Sequence, residues 1–163
     1  MYGKTAFGLA QELRISRREA QEVIAKYFER YSAVKAYLDS QIAQAREKGF
    51  VTTLLGRKRW LPDINSKNPS IRNNAERMAM NTPIQGTAAD LMKLAMIEID
   101  RHLMEKSYRS RVIIQVHDEV VLDCPKAEVG EVEKLVVDIM ENVMKLSVPL
   151  RVTSGCGKNW MEV

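Results

Sequence analysis

Val112-Ile113-Ile114-Gln115-Val116-His117-Asp118-Glu119-Val120-Val121-Leu122 sets two β-branched runs either side of three polar residues. Val and Ile suit a pleated strand, and the gap is hairpin-sized. The stretch therefore predicts strands over 112–116 and 120–122, with His117, Asp118 and Glu119 at the tip. Downstream, Val129, Val132, Leu135, Val136, Ile139, Met140 and Val143 recur at helical spacing and form one apolar face. Leu150-Arg151-Val152-Thr153 reads as a last strand. Upstream, Thr87-Ala88-Ala89-Asp90 opens a helix whose inward residues are Leu91, Met92, Ala95, Met96, Ile99 and Leu103. Helices packed on one face of a small antiparallel sheet make an α+β fold.

Further upstream, Ser16-Arg17-Arg18-Glu19 is a capping box. The apolar positions from Ala20 to Ile42 predict a long amphipathic helix that bends near Ser32 and ends at Gly49. Phe50 to Leu54 reads as a short strand, followed by Gly56 and the basic run Arg57-Lys58-Arg59, with Trp60 behind it. Asn68 is placed to cap a helix opening at Pro69. Thr82-Pro83 should end that helix near Asn81, because proline disfavours helical geometry in the residue before it.

At 163 residues the chain is long enough to bury a core, and 45% hydrophobic with 28% charged residues is a globular composition. No run approaches the roughly 18 apolar residues of a membrane span. The opening MYGKTAFGLAQEL lacks the parts of a signal peptide. Two cysteines make no disulfide framework and, with His102 and His117, no zinc set. Charge is uneven: fourteen Lys/Arg face seven Asp/Glu over residues 1–72, against eleven and fourteen over 73–163. A basic front half is compatible with a polyanionic partner, although a solvated surface accounts for charge alone.

Three constellations could carry chemistry. Asp118 and Glu119 are hard oxygen ligands on a hairpin tip, of the kind Mg²⁺ takes alongside substrate phosphates; a solvated turn explains the same residues when they are taken alone. Arg77 and Asn81 share a helix face, and Gln85 can continue it. Together they can donate to phosphate, sugar and minor-groove acceptors, or simply form a polar face. In Arg57-Lys58-Arg59, alternate residues face opposite ways, so only some of the three can meet one phosphate backbone.

Taken in order, several stretches resemble one family: Tyr2-Gly3, Gly8 to Leu13, Leu55-Gly56-Arg57-Lys58-Arg59, Ala75-Glu76-Arg77, Asn81 to Leu91 (NTPIQGTAADL), Gln115 to Glu119 (QVHDE) and Asn159-Trp160. The chain resembles the C-terminal part of the polymerase domain of family A DNA polymerases, the bacterial DNA polymerase I group. The resemblance implies that residues 1–67 are a remnant of the fingers with a basic hairpin, and that 68–163 are part of the palm. It makes Asp118 the motif C aspartate that binds the catalytic Mg²⁺ ions, with Glu119 beside it, and puts His117 near the primer terminus. Arg77, Asn81 and Gln85 would contact primer-template in or near the minor groove. Tyr2 would end the fingers helix and stack on the template base, and Arg57 and Arg59 would lie on the DNA backbone. The implied partners are primer-template DNA and deoxynucleoside triphosphates. The implied location is the bacterial cytosol or nucleoid, in replication and repair.

The same resemblance implies a gap. The family's second metal-binding aspartate comes from a motif A strand N-terminal to this sequence, and nothing of the DYSQIE type is present here. The nucleotide-binding fingers helix should end at Tyr2-Gly3. Two metals about 3.5–4 Å apart need ligands from both strands, so the chain alone is expected to be inactive. It would then be a truncated gene, a fragment or one half of a split enzyme, and its palm sheet should have an open edge. Two other classes are a non-catalytic DNA-binding module and a metal-dependent nuclease. The nuclease would need Asp90 or Glu76 brought near Asp118.

Overall fold

The computed structural model describes residues 5–162. The elements in chain order are α1 (Ala6–Leu13), α2 (Arg17–Arg30), α3 (Ser32–Lys48), β1 (Phe50–Thr52), β2 (Lys58–Trp60), α4 (Pro69–Glu105), β3 (Arg111–Val116), β4 (Glu119–Asp123) and α5 (Val129–Asn142). Short 3₁₀ turns cover Pro62–Asn65 and Trp160–Glu162. The α+β class holds, but the strands form two separate two-stranded antiparallel ribbons, β1-β2 and β3-β4. The chain divides into two compact units, Met1–Thr87 and Ala88–Val163, and the division falls within α4.

In the first unit the local signals act as read. Ser16 Oγ accepts from the Glu19 amide and the Glu19 carboxylate accepts from the Ser16 amide, closing the capping box. The predicted bend is a break at Tyr31, whose φ of −114° and ψ of 55° leave helical space between α2 and α3. Gly49, at φ 77°, ends α3 in the left-handed region that glycine enters without a Cβ penalty. A further helix, α1, precedes the capping box and is capped by Thr5. The core gathers Ala45, Val51, Leu61, Ile64, Ala75 and Ala79, with Ile42 and Met78 against them.

Asn68 caps α4 as expected, accepting from the Ser70 amide at 2.9 Å. The predicted stop at Thr82-Pro83 is wrong: α4 runs through Pro83 without interruption for 37 residues. An interior proline costs a helix about 3 kcal/mol, through a lost hydrogen bond and a clash with the carbonyl four residues back. Tertiary packing outweighs that local preference here. Ala75 and Ala79 are buried in the core one and two turns earlier, Thr82, Pro83 and Thr87 are buried too, and the Thr87 hydroxyl bonds the Pro83 carbonyl.

The second unit packs α5 and the C-terminal part of α4 with the β3-β4 ribbon. Its core is Ile99, Leu103, Val132, Val136 and Ile139, with Val112, Val120 and Leu122 from the ribbon against it. The register shifts between Val112 and Ile114, so Ile113 stands unpaired in a bulge, and Ile113 and Ile114 are both exposed. Val116 pairs with Glu119, so only His117 and Asp118 form the turn. The expected three-residue tip is thus corrected: Glu119 is the first residue of β4. The predicted strand over 150–153 does not form. A strand needs a ladder partner. Here Val152 donates to the Glu141 carboxylate on α5 and the Ser154 hydroxyl donates to Glu133, so side chains of that helix take the segment's donors instead.

Candidate nucleic-acid interface

Within the first unit, the basic hairpin is fastened to α4. Arg57 and Arg59 are two residues apart and point the same way. Arg57 Nη2 donates to the Gly86 carbonyl at 3.0 Å, and Arg59 Nη1 lies 3.4 Å from Thr82 Oγ1, with Nη2 at the Met78 sulfur. Lys58 faces the other way, its ammonium 4.7 Å from the centre of the Phe50 ring, which meets Trp60 edge to face. The alternation expected of the basic run is therefore real. Met78, Thr82 and Gly86 form one stripe of α4. Arg77, Asn81 and Gln85 form the neighbouring stripe, one residue or about 100° round the helix. Arg77 and Gln85 are exposed and Asn81 is half-buried. Arg57 and Arg59 thus lie against the stripe of α4 that adjoins the one carrying Arg77, Asn81 and Gln85. Tyr2 lies outside the described residues.

The Asn81 amide oxygen is buried with no hydrogen-bond partner among the described residues. A buried acceptor without a partner costs stability, so its presence calls for another reason. Glu76, weighed as a second metal carboxylate, is engaged elsewhere: Arg46 lies 2.6 Å from it and Arg72 3.9 Å.

In the second unit, His117, Asp118 and Glu119 are all exposed at the turn of β3-β4. His117 sits at φ 51°, an uncommon conformation for a residue with a Cβ, and its carbonyl accepts from Gln115 Nε2 at 2.7 Å. The root of the hairpin is held by Glu128, just before α5. Its carboxylate takes the Arg109 and Ser110 amides at 3.1 and 3.0 Å and the Ser110 hydroxyl at 2.7 Å. The Ser110 hydroxyl above all, and then the two amides, hold the Glu128 carboxyl below its ordinary pKa. Sequence reading missed Glu128 because the donors lie nearly twenty residues away. It also missed Thr53, Thr82, Gly86 and Thr87, although the last three stand inside the NTPIQGTAADL stretch.

Among the described residues, no three His, Cys, Asp or Glu side chains gather as a metal cluster. Asp118 in the turn and Glu119 at the start of β4 supply adjacent hard oxygen donors. That suits one edge of a magnesium shell, which commonly takes one or two carboxylates. Nor is any helix among the described residues long and apolar enough to cross a membrane.

These arrangements can be set beside known proteins. DNA polymerase I of Bacillus caldotenax is 49% identical over 162 residues, covering 99% of this chain, and that of Caldicellulosiruptor bescii is 51% identical over the same share. The chain spans 18–19% of the length of these relatives. Among solved structures, the POL domain of Pol1 from M. smegmatis, in complex with DNA primer-template and dNTP, superposes with a TM-score of 0.94. It is 46% identical, over 98% of this chain and 28% of that one. The model of DNA polymerase family A matches residues 1–162. With the motif stretches in their expected order along almost the whole chain, this protein belongs to DNA polymerase family A.

Proposed function

We propose that this chain is the part of a DNA-directed DNA polymerase that grips primer-template and presents one of the two aspartates of the catalytic centre. The observation that carries the reading is the side of α4 on which Arg57 and Arg59 lie beside the Arg77, Asn81 and Gln85 stripe. Guanidinium and amide donors can meet phosphates and the minor-groove acceptors that every base pair offers. Affinity without base preference suits an enzyme that copies any sequence. The mycobacterial structure was solved with DNA primer-template and dNTP, which supports the same partners here.

At the β3-β4 turn, Asp118 would hold the metal, with Glu119 beside it and His117 toward the primer terminus. Bound Mg²⁺ supplies charge stabilisation for nucleotidyl transfer. The contribution of this chain is to hold Asp118 in the tight turn, with Glu119 at the first residue of β4, on a hairpin rooted at Glu128. The other aspartate would come from a motif A strand, and Tyr2 would stack on the template base. The setting is the bacterial cytosol or nucleoid, in replication or repair.

A second reading, a DNA-binding module without catalysis, would rest on the same basic hairpin, Arg57 and Arg59 against α4, with no use for Asp118. Asp118→Asn separates the two. Combined with a polypeptide carrying motif A, the variant should lose extension by at least about a hundredfold, the scale on which one preorganised electrostatic group registers, with primer-template affinity little changed. Extension that survives Asp118→Asn would remove the catalytic role assigned to Asp118.

A further inference from the structure

Resting on that reading of the DNA grip, we infer that Thr87 and Gly86 are positioning residues: they fix the β1-β2 turn on α4 and thereby set where Arg57 and Arg59 meet a DNA backbone. The turn is closed first by its own residues. The Thr53 amide donates to the Arg57 carbonyl at 3.0 Å, the Arg57 amide donates to Thr53 Oγ1 at 3.2 Å, and Gly56 crosses the corner at φ 81°. One donor, the Leu54 amide, points out of the turn, and Thr87 Oγ1 accepts it at 3.0 Å. The Thr87 hydroxyl gives its own proton to the Pro83 carbonyl. Thr87 is thus used in both directions, and it is only 7% exposed.

One residue earlier, the Gly86 carbonyl receives the Arg57 guanidinium. A Cβ on Gly86 would stand 2.7 Å from Thr53 Cγ2 and 3.4 Å from Arg57 Nη2. Only glycine lets the turn come this close. One turn of helix back, Thr82 takes Arg59. The hairpin therefore meets α4 at Met78, Thr82, Gly86 and Thr87, and the first three of these each receive an arginine directly. Valine would fill the space of Thr87 but would leave the Leu54 amide without an acceptor, so the hydroxyl itself is what locks the turn.

The test is primer-template binding by the full chain, followed by fluorescence anisotropy over a salt series. Arg57→Ala and Arg59→Ala should each reduce the slope of log affinity against log salt by about one. Thr87→Val should reduce it by about two, as both arginines lose their setting, with helical circular dichroism retained; Thr87→Ser should restore the full slope. Gly86→Ala should act in the direction of Thr87→Val. A Thr87→Val chain that keeps the full slope, while the arginine variants lose theirs, overturns the positioning role. Arginine variants that keep the slope overturn the DNA reading beneath it, and this inference with it. Should Thr87→Val not fold, Gly86→Ala and Thr87→Ser decide: slope lost in the first and kept in the second supports the inference, and any other pattern overturns it.

Discussion

The two hairpins of this chain are built from similar short strands and are held in opposite ways. In β1-β2 the fastening is at the turn: Thr53, Leu54, Arg57 and Arg59 are tied to one another or to α4 through Thr82, Gly86 and Thr87. In β3-β4 the fastening is at the root, where Glu128 collects the donors of Arg109 and Ser110, and the turn itself carries exposed carboxylates. A hairpin pinned at its turn presents a fixed surface, as a grip on a long regular ligand needs. One pinned at its root puts charge at its tip for something else to complete. Asp118 and Glu119 are that kind of group in the polymerase reading proposed above.

Substitutions along α4 test the first half of this contrast, and the largest effect belongs to the stripe beside the pinned arginines. Asn81→Ala should lower extension by the reconstituted polymerase by about tenfold or more, yet barely move the melting temperature, because its buried amide oxygen has no partner to lose. A large fall in melting temperature would show that Asn81 serves the fold instead. Gln85→Ala should behave in the same way. Arg77→Ala should weaken primer-template binding and flatten its salt dependence by about one phosphate contact; an unchanged slope would reassign Arg77 to a base edge or to structure.

The smallest expected effect tests the root of the second hairpin. The folded pKa of Glu128 is held below its ordinary value, chiefly by the Ser110 hydroxyl. The carboxylate therefore contributes stability that is complete above its unfolded pKa and is lost as pH falls through the lowered folded value. Glu128→Gln should make the chain less stable at neutral pH and remove part of its acid sensitivity below about pH 4.5. Chemical denaturation at pH 7 and pH 3 checks this. Equal destabilisation at both would mean that the carboxylate charge plays no part in holding the hairpin.

How much of this was legible in the sequence depended on the range of the interaction. Local signals read true: the Ser16 capping box, the Gly49 stop, the Asn68 cap and the apolar period of α5 all act within a turn or two of helix. Pro83 misled because its local preference is outweighed by burial of its neighbours against residues from elsewhere in the chain. The strand expected over 150–153 failed for the converse reason. Its β-branched pattern is local, but a strand exists only with a partner, and Glu133 and Glu141 supply acceptors instead. The candidate interface was legible as residue types and motif order. The role of Thr87 was not, since its hydroxyl reads as helix interior until the Leu54 amide, 33 residues earlier, is found against it.

The most direct measurement is primer extension by the purified chain with Mg²⁺ and all four deoxynucleotides, with and without a polypeptide that carries motif A. The account predicts no extension by the chain alone, and extension on addition that Asp118→Asn abolishes. Extension by the chain alone, lost in Asp118→Asn, would contradict it: the β3-β4 turn would then complete a metal site without a second aspartate from motif A.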